Sequence, residues 1–257
     1  MCLLVFAWKI HPEHPLVFAG NRDELHARPA AAAGFWEHSP QVLGGRDLQA
    51  GGTWLGITTS GRFAVVTNYR AGLDPIKAPR SRGELTAEFL DSEIPADTFI
   101  HAVAKRANQY GAFSLIVGDR SALWYLSNRG AAEPRKVPPG IHGLSNHLLD
   151  TPWPKVTRSI ARMESLLKTQ TLTSDTLFSL LAERTPAADA QLPDTGIGRV
   201  RERQVSPVFV VNPDYGTRCS SVIFLHADDQ AYFAERRFDA AGEALETRSF
   251  HITVCET

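Results

Sequence analysis

The stretch MCLLVFAWKIHPEHPLVFAGNRDE, residues 1–24, decides the fold. Leu3 to Trp8 and Leu16 to Ala19 are short runs, apolar throughout, which is the pattern of buried strands. His11, Pro12 and Pro15 punctuate the segment between them as a turn. A cysteine stands second, and the polar block Gly20-Asn21-Arg22-Asp23-Glu24 follows the second run. A small residue after the initiator favours removal of Met1, which leaves a thiol and a free α-amine on one residue. An α-amine has a reference pKa of about 7.7–8.0, so it serves as a general base near neutral pH. A thiol beside its own base is an activated nucleophile. The plainer reading of Cys2 is a small residue packed at the start of a strand. In the polar block, Arg22 can hold a thiolate or a carboxylate, and Asp23 can orient the new amine. Its plainer reading is a solvated turn.

Working outward, Trp54 to Thr58 and Phe63 to Thr67 flank Ser60-Gly61, a hairpin signal. Ser114 to Val117 and Leu123 to Ser127 turn at Gly118-Asp119. Ser220 to His226, Tyr232 to Glu235 and Arg248 to Val254 read as three more strands. Helices occupy the middle. Ser81-Arg82-Gly83-Glu84 has the capping-box pattern and opens a helix to about Leu90. Asp97 is expected to cap a second helix, with Phe99, Val103 and Ala107 on one face and Gly111 as its stop. Thr151-Pro152 predicts a third helix start, followed by the stripe Trp153, Val156, Ile160, Met163 and Leu167. A fourth helix is expected over 174–182. Strands, then helices, then strands, joined as antiparallel hairpins, mark an α+β fold. Residues 183–207 carry Arg199, Arg201 and Arg203 with little periodicity and read as a long surface loop on a single domain, 1–257.

The chain has 257 residues, 27 basic and 28 acidic, for a formal net charge of −1. That balance argues against a nucleic-acid partner, which calls for a basic excess. A hydrophobic content of 43% excludes general disorder. Three cysteines (Cys2, Cys219 and Cys255), with no C-x-x-C pair, do not suit a disulfide-stapled secreted domain or a zinc ribbon. Cys219 and Cys255 read as inert strand thiols. The first apolar run stops at Trp8, too short for a signal peptide. Nothing approaches the ~20 apolar residues of a membrane span. The expectation is a cytoplasmic protein that is not integral to a membrane. There is no G-x-S-x-G, no H-E-x-x-H and no metal motif. Glycines 44, 45, 51 and 52 cluster without a P-loop lysine, a weak signal for a phosphate cradle.

Two asparagines close strands: Asn68 after Phe63 to Thr67, and Asn146 after Gly143-Leu144-Ser145. A side-chain amide donates to a developing oxyanion without needing a pKa in range. Asparagine is also a routine turn former. Tyr215-Gly216-Thr217-Arg218 enters a late strand and places Arg218 at its start.

Together with Met-Cys, Asn21 to Glu24, Gly51 to Gly56, Thr67-Asn68-Tyr69, Arg82 to Leu85, Gly143 to Asn146 and Thr151-Pro152-Trp153, these stretches run in order across almost the whole chain. In them the sequence resembles the NRDE family, also called the transport and Golgi organisation protein 2 family. That family is in turn similar to N-terminal-nucleophile hydrolases of the choloylglycine hydrolase and penicillin V acylase type. The resemblance implies a four-layer αββα sandwich of two antiparallel sheets. It implies Cys2 as nucleophile, flanked by Arg22 and Asp23. Asn68 and Asn146 match the oxyanion and amine-orienting asparagines, and Arg218 matches the late arginine. The hydrolases space these groups as Gly-Arg-Asn-x-Asp, whereas this chain has Gly-Asn-Arg-Asp-Glu, so Asp23 and Glu24 both stand for the acid facing the amine.

The implied activity is hydrolysis of an acyl amide or thioester through Cys2, with no cofactor required. The family's association with haem trafficking and lipid homeostasis gives the alternative, a non-enzymatic carrier of haem or acyl-CoA using the same cleft. Small-molecule contacts are expected from Asn21, Glu24, His26, Trp54, Tyr69 and His147, with His26 and His147 as axial ligands for haem cargo. Arg199, Arg201, Arg203 and Arg218 are then the partners of propionates or phosphates. Trp54, Trp124 and Trp153 are also expected to pack in or beside the core. No sequence feature sets an oligomeric state.

Overall fold

The computed structural model describes residues 2–72, 78–169 and 172–254. Met1 and Cys255, both named above, lie outside the described residues. The first strands are β1 (Cys2–Trp8), β2 (Leu16–Leu25), β3 (Ala30–Trp36), β4 (Ser39–Asp47), β5 (Leu55–Thr58) and β6 (Phe63–Asn68). Helices α1 (Arg82–Asp91) and α2 (Ala96–Lys105) follow, then β7 (Phe113–Gly118), β8 (Leu123–Ser127), β9 (Arg135–Lys136) and β10 (Gly140–Leu144). Helices α3 (Pro154–Lys168), α4 (Ser174–Leu181) and α5 (Arg199–Gln204) precede β11 (Tyr215–Leu225), β12 (Gln230–Phe238) and β13 (Ala244–Thr253).

The strands form two antiparallel sheets. One has six strands in the order β10-β1-β2-β11-β12-β13, and the other runs β3-β4-β5-β6-β7-β8-β9. Side chains alternate across each strand, so an apolar strand feeds two cores. Leu4, Phe6 and Trp8 of β1 meet Phe63, Val65 and Ile116 between the sheets. Val5 and Ala7 face outward, onto Met163 of α3 and Leu177 and Leu181 of α4. On the other flank, Ala64, Leu115 and Val117 pack against Leu85 and Phe89 of α1 and Phe99 and Val103 of α2. The layers are therefore helices, sheet, sheet, helices, the αββα order implied by the resemblance. Burial on both faces explains why these strands read as continuous apolar runs.

Several local expectations change. The polar block 21–24 is no turn: β2 continues through it to Leu25. Ser81 occupies the cap position of α1 but makes no side-chain capping bond; Glu84 is drawn instead to Arg80, 2.6 Å away. Asp97 accepts from its neighbour Thr98 rather than capping α2, and α2 ends at Lys105, well before Gly111. Helix α3 opens at Pro154, two residues beyond Pro152, with proline again in the first turn. Thr151 donates its hydroxyl to the Leu148 carbonyl. The glycine cluster serves close packing. A Cβ on Gly52 would lie 2.4 Å from the Gly83 backbone, and one on Gly44 would lie 2.7 Å from the Leu55 carbonyl. The 183–207 segment carries the short helix α5, and Glu202 on it is buried, so it is folded onto the body rather than lying as a bare surface loop.

Candidate active site

Cys2 begins β1 and is 8% exposed. Register places it opposite Arg22 on β2, and Arg22 opposite Cys219 on β11. These three share the face that elsewhere carries the intersheet core. At this end of the sandwich the space between the sheets opens into a cleft of about 120 Å³. Cys2, Arg22, Asn68, Trp54, Arg82 and Glu235 are among its lining residues.

Asn146 reaches Cys2 from the other side. It sits at the end of β10 in the left-handed region, with φ 55°, a conformation asparagine tolerates better than most residues. Its side-chain Oδ1 accepts from the Cys2 nitrogen at 3.3 Å. Its Nδ2 donates to the Asn68 carbonyl at 3.1 Å. The Asn146 carbonyl accepts from the Arg70 backbone at 2.7 Å. The amide is thus fixed at both ends, with its acceptor oxygen aimed at the nitrogen that becomes the α-amine once Met1 is gone. Asn68 lines the cleft and contributes its backbone carbonyl to this network.

Asp23 is buried, and its Oδ1 accepts from the Thr217 hydroxyl at 2.7 Å. Burial pushes its pKa up, while Lys155, Thr217 and Arg70 pull the other way. Burial likewise pushes the Cys2 thiol up; the Asp23 charge adds to that and the Arg22 charge opposes it. The resting thiol is therefore protonated at neutral pH, and a nucleophilic role for it would require a base beside it. Glu24 faces the cations instead: it lies 3.8 Å from Arg22 and 3.9 Å from Arg28. Of the two acids, Asp23 is the one whose charge acts on Cys2.

Arg218 lines the cleft, but its Nη1 is spent on three carbonyls, those of Leu25, His26 and Arg28. It clamps the turn after β2. Four expected ligand contacts lie elsewhere. Asn21 points to the opposite face, where it donates to the Leu181 and Val208 carbonyls at 2.9 Å and accepts from Ser220 at 2.6 Å. His26 contacts the Asn212 carbonyl through Nε2. Tyr69 pairs its hydroxyl with His147 Nε2 at 2.7 Å, and His147 Nδ1 meets Thr151 at 2.8 Å. Both His147 nitrogens have hydrogen-bond partners. Trp54 and Glu24 do line the cleft.

The sequence reading missed several cleft residues: Arg28, Arg46, Arg82, Glu235 and Arg237. Arg82 had been absorbed into a capping pattern. Its guanidinium is held below its usual pKa by burial, with the Glu24 and Cys2 charges opposing. Glu235 accepts from the Ala33 backbone across the sheets at 2.8 Å. Burial, reinforced by Glu235, keeps the Cys219 thiol well above the ordinary range, in keeping with an inert role. Among the described residues no group of His, Cys, Asp and Glu could hold a metal ion. No helix among them is long and apolar enough to cross a membrane.

Known proteins share this fold. Two solved structures superpose over nearly the whole chain. An N-acylethanolamine-hydrolyzing acid amidase ortholog from Caenorhabditis elegans does so with a TM-score of 0.51 and 12% identity, covering 86% of this chain and 92% of its own. A mutant conjugated bile acid hydrolase from Clostridium perfringens gives a TM-score of 0.51 at 9% identity, covering 97% and 96%. The fold is thus that of the N-terminal-nucleophile hydrolases. In sequence, the Transport and Golgi organization protein 2 homolog of Bos taurus is 38% identical over 258 residues, 92% of each chain. The Homo sapiens homolog is 34% identical over 275 residues, 99% of each. The profile of the Transport and Golgi organisation 2 family matches residues 1–240, and the chain belongs to that family.

Proposed function

We propose that the chain is a cytosolic acyl hydrolase that cuts an amide or thioester through a Cys2 acyl-enzyme. The observation that carries this reading is the Cys2 nitrogen held 3.3 Å from Asn146 Oδ1, on a buried thiol at the wall of an open cleft. After loss of Met1 that nitrogen is a primary amine. It takes the Sγ proton as Sγ attacks the substrate carbonyl carbon. The carbonyl oxygen becomes an oxyanion, for which the Asn68 amide at the cleft wall is the proposed neutral donor. Collapse breaks the C–N or C–S bond, and the ammonium returns its proton to the leaving group. Water, deprotonated by the same amine, then hydrolyses the Cys2 thioester. Asn146 keeps the amine oriented, and Asp23 favours its cationic form between the two proton transfers. No cofactor enters these steps.

The two solved structures compared above are named for hydrolysis, which supports the reading. The cleft adds a preference. Arg22, Arg28, Arg46, Arg82, Arg218 and Arg237 stand against Asp23, Glu24, Asp47 and Glu235. This cationic excess suits an acyl substrate carrying a carboxylate or phosphate. The same arginines favour a second reading, a carrier of such an anion, acyl-CoA or haem, without turnover.

Treatment with a β-lactone electrophile, followed by peptide mass mapping, separates the two. A single adduct on the Cys2 peptide is expected, absent in Cys2→Ala and slowed at least tenfold in Asn146→Ala. Labelling that persists in a folded Cys2→Ala variant overturns the hydrolase reading.

A further inference from the structure

Arg70 and Glu202 form a buried ion pair, Nη1 to Oε2 2.6 Å, with side chains 7% and 2% exposed. Arg70 follows β6 on the body of the sandwich. Glu202 comes from α5, in the segment that returns over it. The second Glu202 oxygen accepts from the Thr195 nitrogen at 2.9 Å and the Thr195 hydroxyl at 2.6 Å. The Arg70 guanidinium lies over the Trp153 ring, 4.7 Å from its centroid. A second buried cation, Lys155, donates to the Val205 carbonyl of the same segment at 3.0 Å. Two desolvated cations on the body thus end on residues 202–205.

A buried ion pair recovers little net stability over an apolar contact of equal volume. What it does fix is orientation. The Arg70 backbone donates to the Asn146 carbonyl at 2.7 Å, and Asn146 Oδ1 accepts from Cys2. One residue therefore carries the buried charge at its tip and the Asn146 turn at its backbone.

We propose that the Arg70–Glu202 pair is a positioning device for Cys2, through which the 183–207 segment holds the Asn146 turn against the Cys2 nitrogen. The inference rests on the reading of Cys2 as nucleophile and assigns to a segment outside the cleft a part in setting its reactivity. Neither residue is among those lining the cleft. The charged and titratable groups around Cys2 are Arg22 and Asp23 of β2, Arg82 of α1, Lys155 of α3, Cys219 of β11 with Glu235 of β12 beside it, and, once Met1 is gone, the α-amine of Cys2 itself, which titrates with the thiol in parent and variants alike. Arg70 acts on that set through Asp23 and Lys155. Removing the Glu202 charge therefore leaves an uncompensated cation behind the site.

The test is the pH profile of Cys2 alkylation by iodoacetamide, read at the Cys2 peptide by mass. Glu202→Gln keeps the size of the side chain and an acceptor for Thr195. It is expected to lower the pH of half-maximal alkylation by about 0.5 unit or more. Adding Arg70→Met to Glu202→Gln restores electrical balance and is expected to return the midpoint toward that of the parent chain. Glu202→Asp keeps the charge and shortens its reach; it is expected to leave the midpoint unmoved while slowing β-lactone acylation. A folded Glu202→Gln protein with the parent midpoint and the parent acylation rate overturns the proposal. Iodoacetamide needs no turnover. Absence of any acyl-enzyme therefore sinks the hydrolase reading without altering what the midpoint says about the ion pair.

Discussion

Along β2 successive side chains point to opposite faces, and the block Asn21 to Glu24 is divided accordingly. Arg22 enters the cleft beside Cys2, while Asn21 turns to the helical face and joins three groups there. A strand extended through polar residues was not legible as one, because its polar groups are satisfied by partners far along the chain. Asn21→Ala strands the Ser220 hydroxyl and two buried carbonyls. It is expected to cost about 2–4 kcal/mol in urea unfolding. At a temperature where the variant is folded, Cys2 labelling is expected at the parent rate. A variant as stable as the parent contradicts the structural role given to Asn21.

At the scale of elements, long apolar runs were readable and cap chemistry was only partly so. Strand β1, the apolar first part of β2 and both flanking hairpins lie where hydrophobicity puts them. Strands β3 and β4 escaped because AAAAGFW opens on four alanines with no β-branched residue and SPQVLGGRD has one β-branched residue, no aromatic and a glycine pair. They carry Arg46 to the cleft, so part of the site escaped with them. The Ser81 pattern was a true helix start with an idle cap. The working capping box is at Thr173, which accepts from the Thr176 nitrogen while Thr176 reaches back. Thr173→Ala is expected to cost about 1 kcal/mol, and Ser81→Ala less than about 0.5 kcal/mol. Equal losses measured by chemical denaturation would contradict the assignment of caps.

Over the whole molecule, the topology assembles the cleft from parts no local pattern links: the start of β1, β2, the β3–β4 hairpin, the end of β6, the start of α1, β11 and β12. The ordered motifs singled out Cys2 and Asn146, which the fold brings together at 3.3 Å. Of the cleft's arginines the motifs offered Arg22 and Arg218; Arg28, Arg46, Arg82 and Arg237 became visible there only when the sheets were stacked. The turns joining β1 to β2 and β11 to β12 bring three histidines together. His14 lies 4.6 Å from both the His11 and the His226 rings. Burial first, and the two neighbouring imidazoles next, lower the His14 pKa from 6.5 to about 4; burial lowers His226 as well. The unfolded chain takes up this proton below pH 6.5 and the folded chain refuses it down to about pH 4. Stability from a neutral His14 is therefore complete above pH 6.5 and is lost as pH falls toward 4. Discounted for partial exposure, the loss is about 1 kcal/mol. His14→Gln is expected to narrow the difference in urea midpoint between pH 7.5 and pH 4.5; an unchanged difference contradicts this origin.

The account as a whole depends on Cys2 being the first residue of the working protein, since Asn146 otherwise holds a peptide nitrogen with no basic lone pair. Intact-mass spectrometry of the purified protein reads this directly. The expected mass lacks one methionine residue. A mass that retains Met1, in protein that nonetheless forms the β-lactone adduct at Cys2, would contradict the mechanism, because the thiol would then be reacting without its amine.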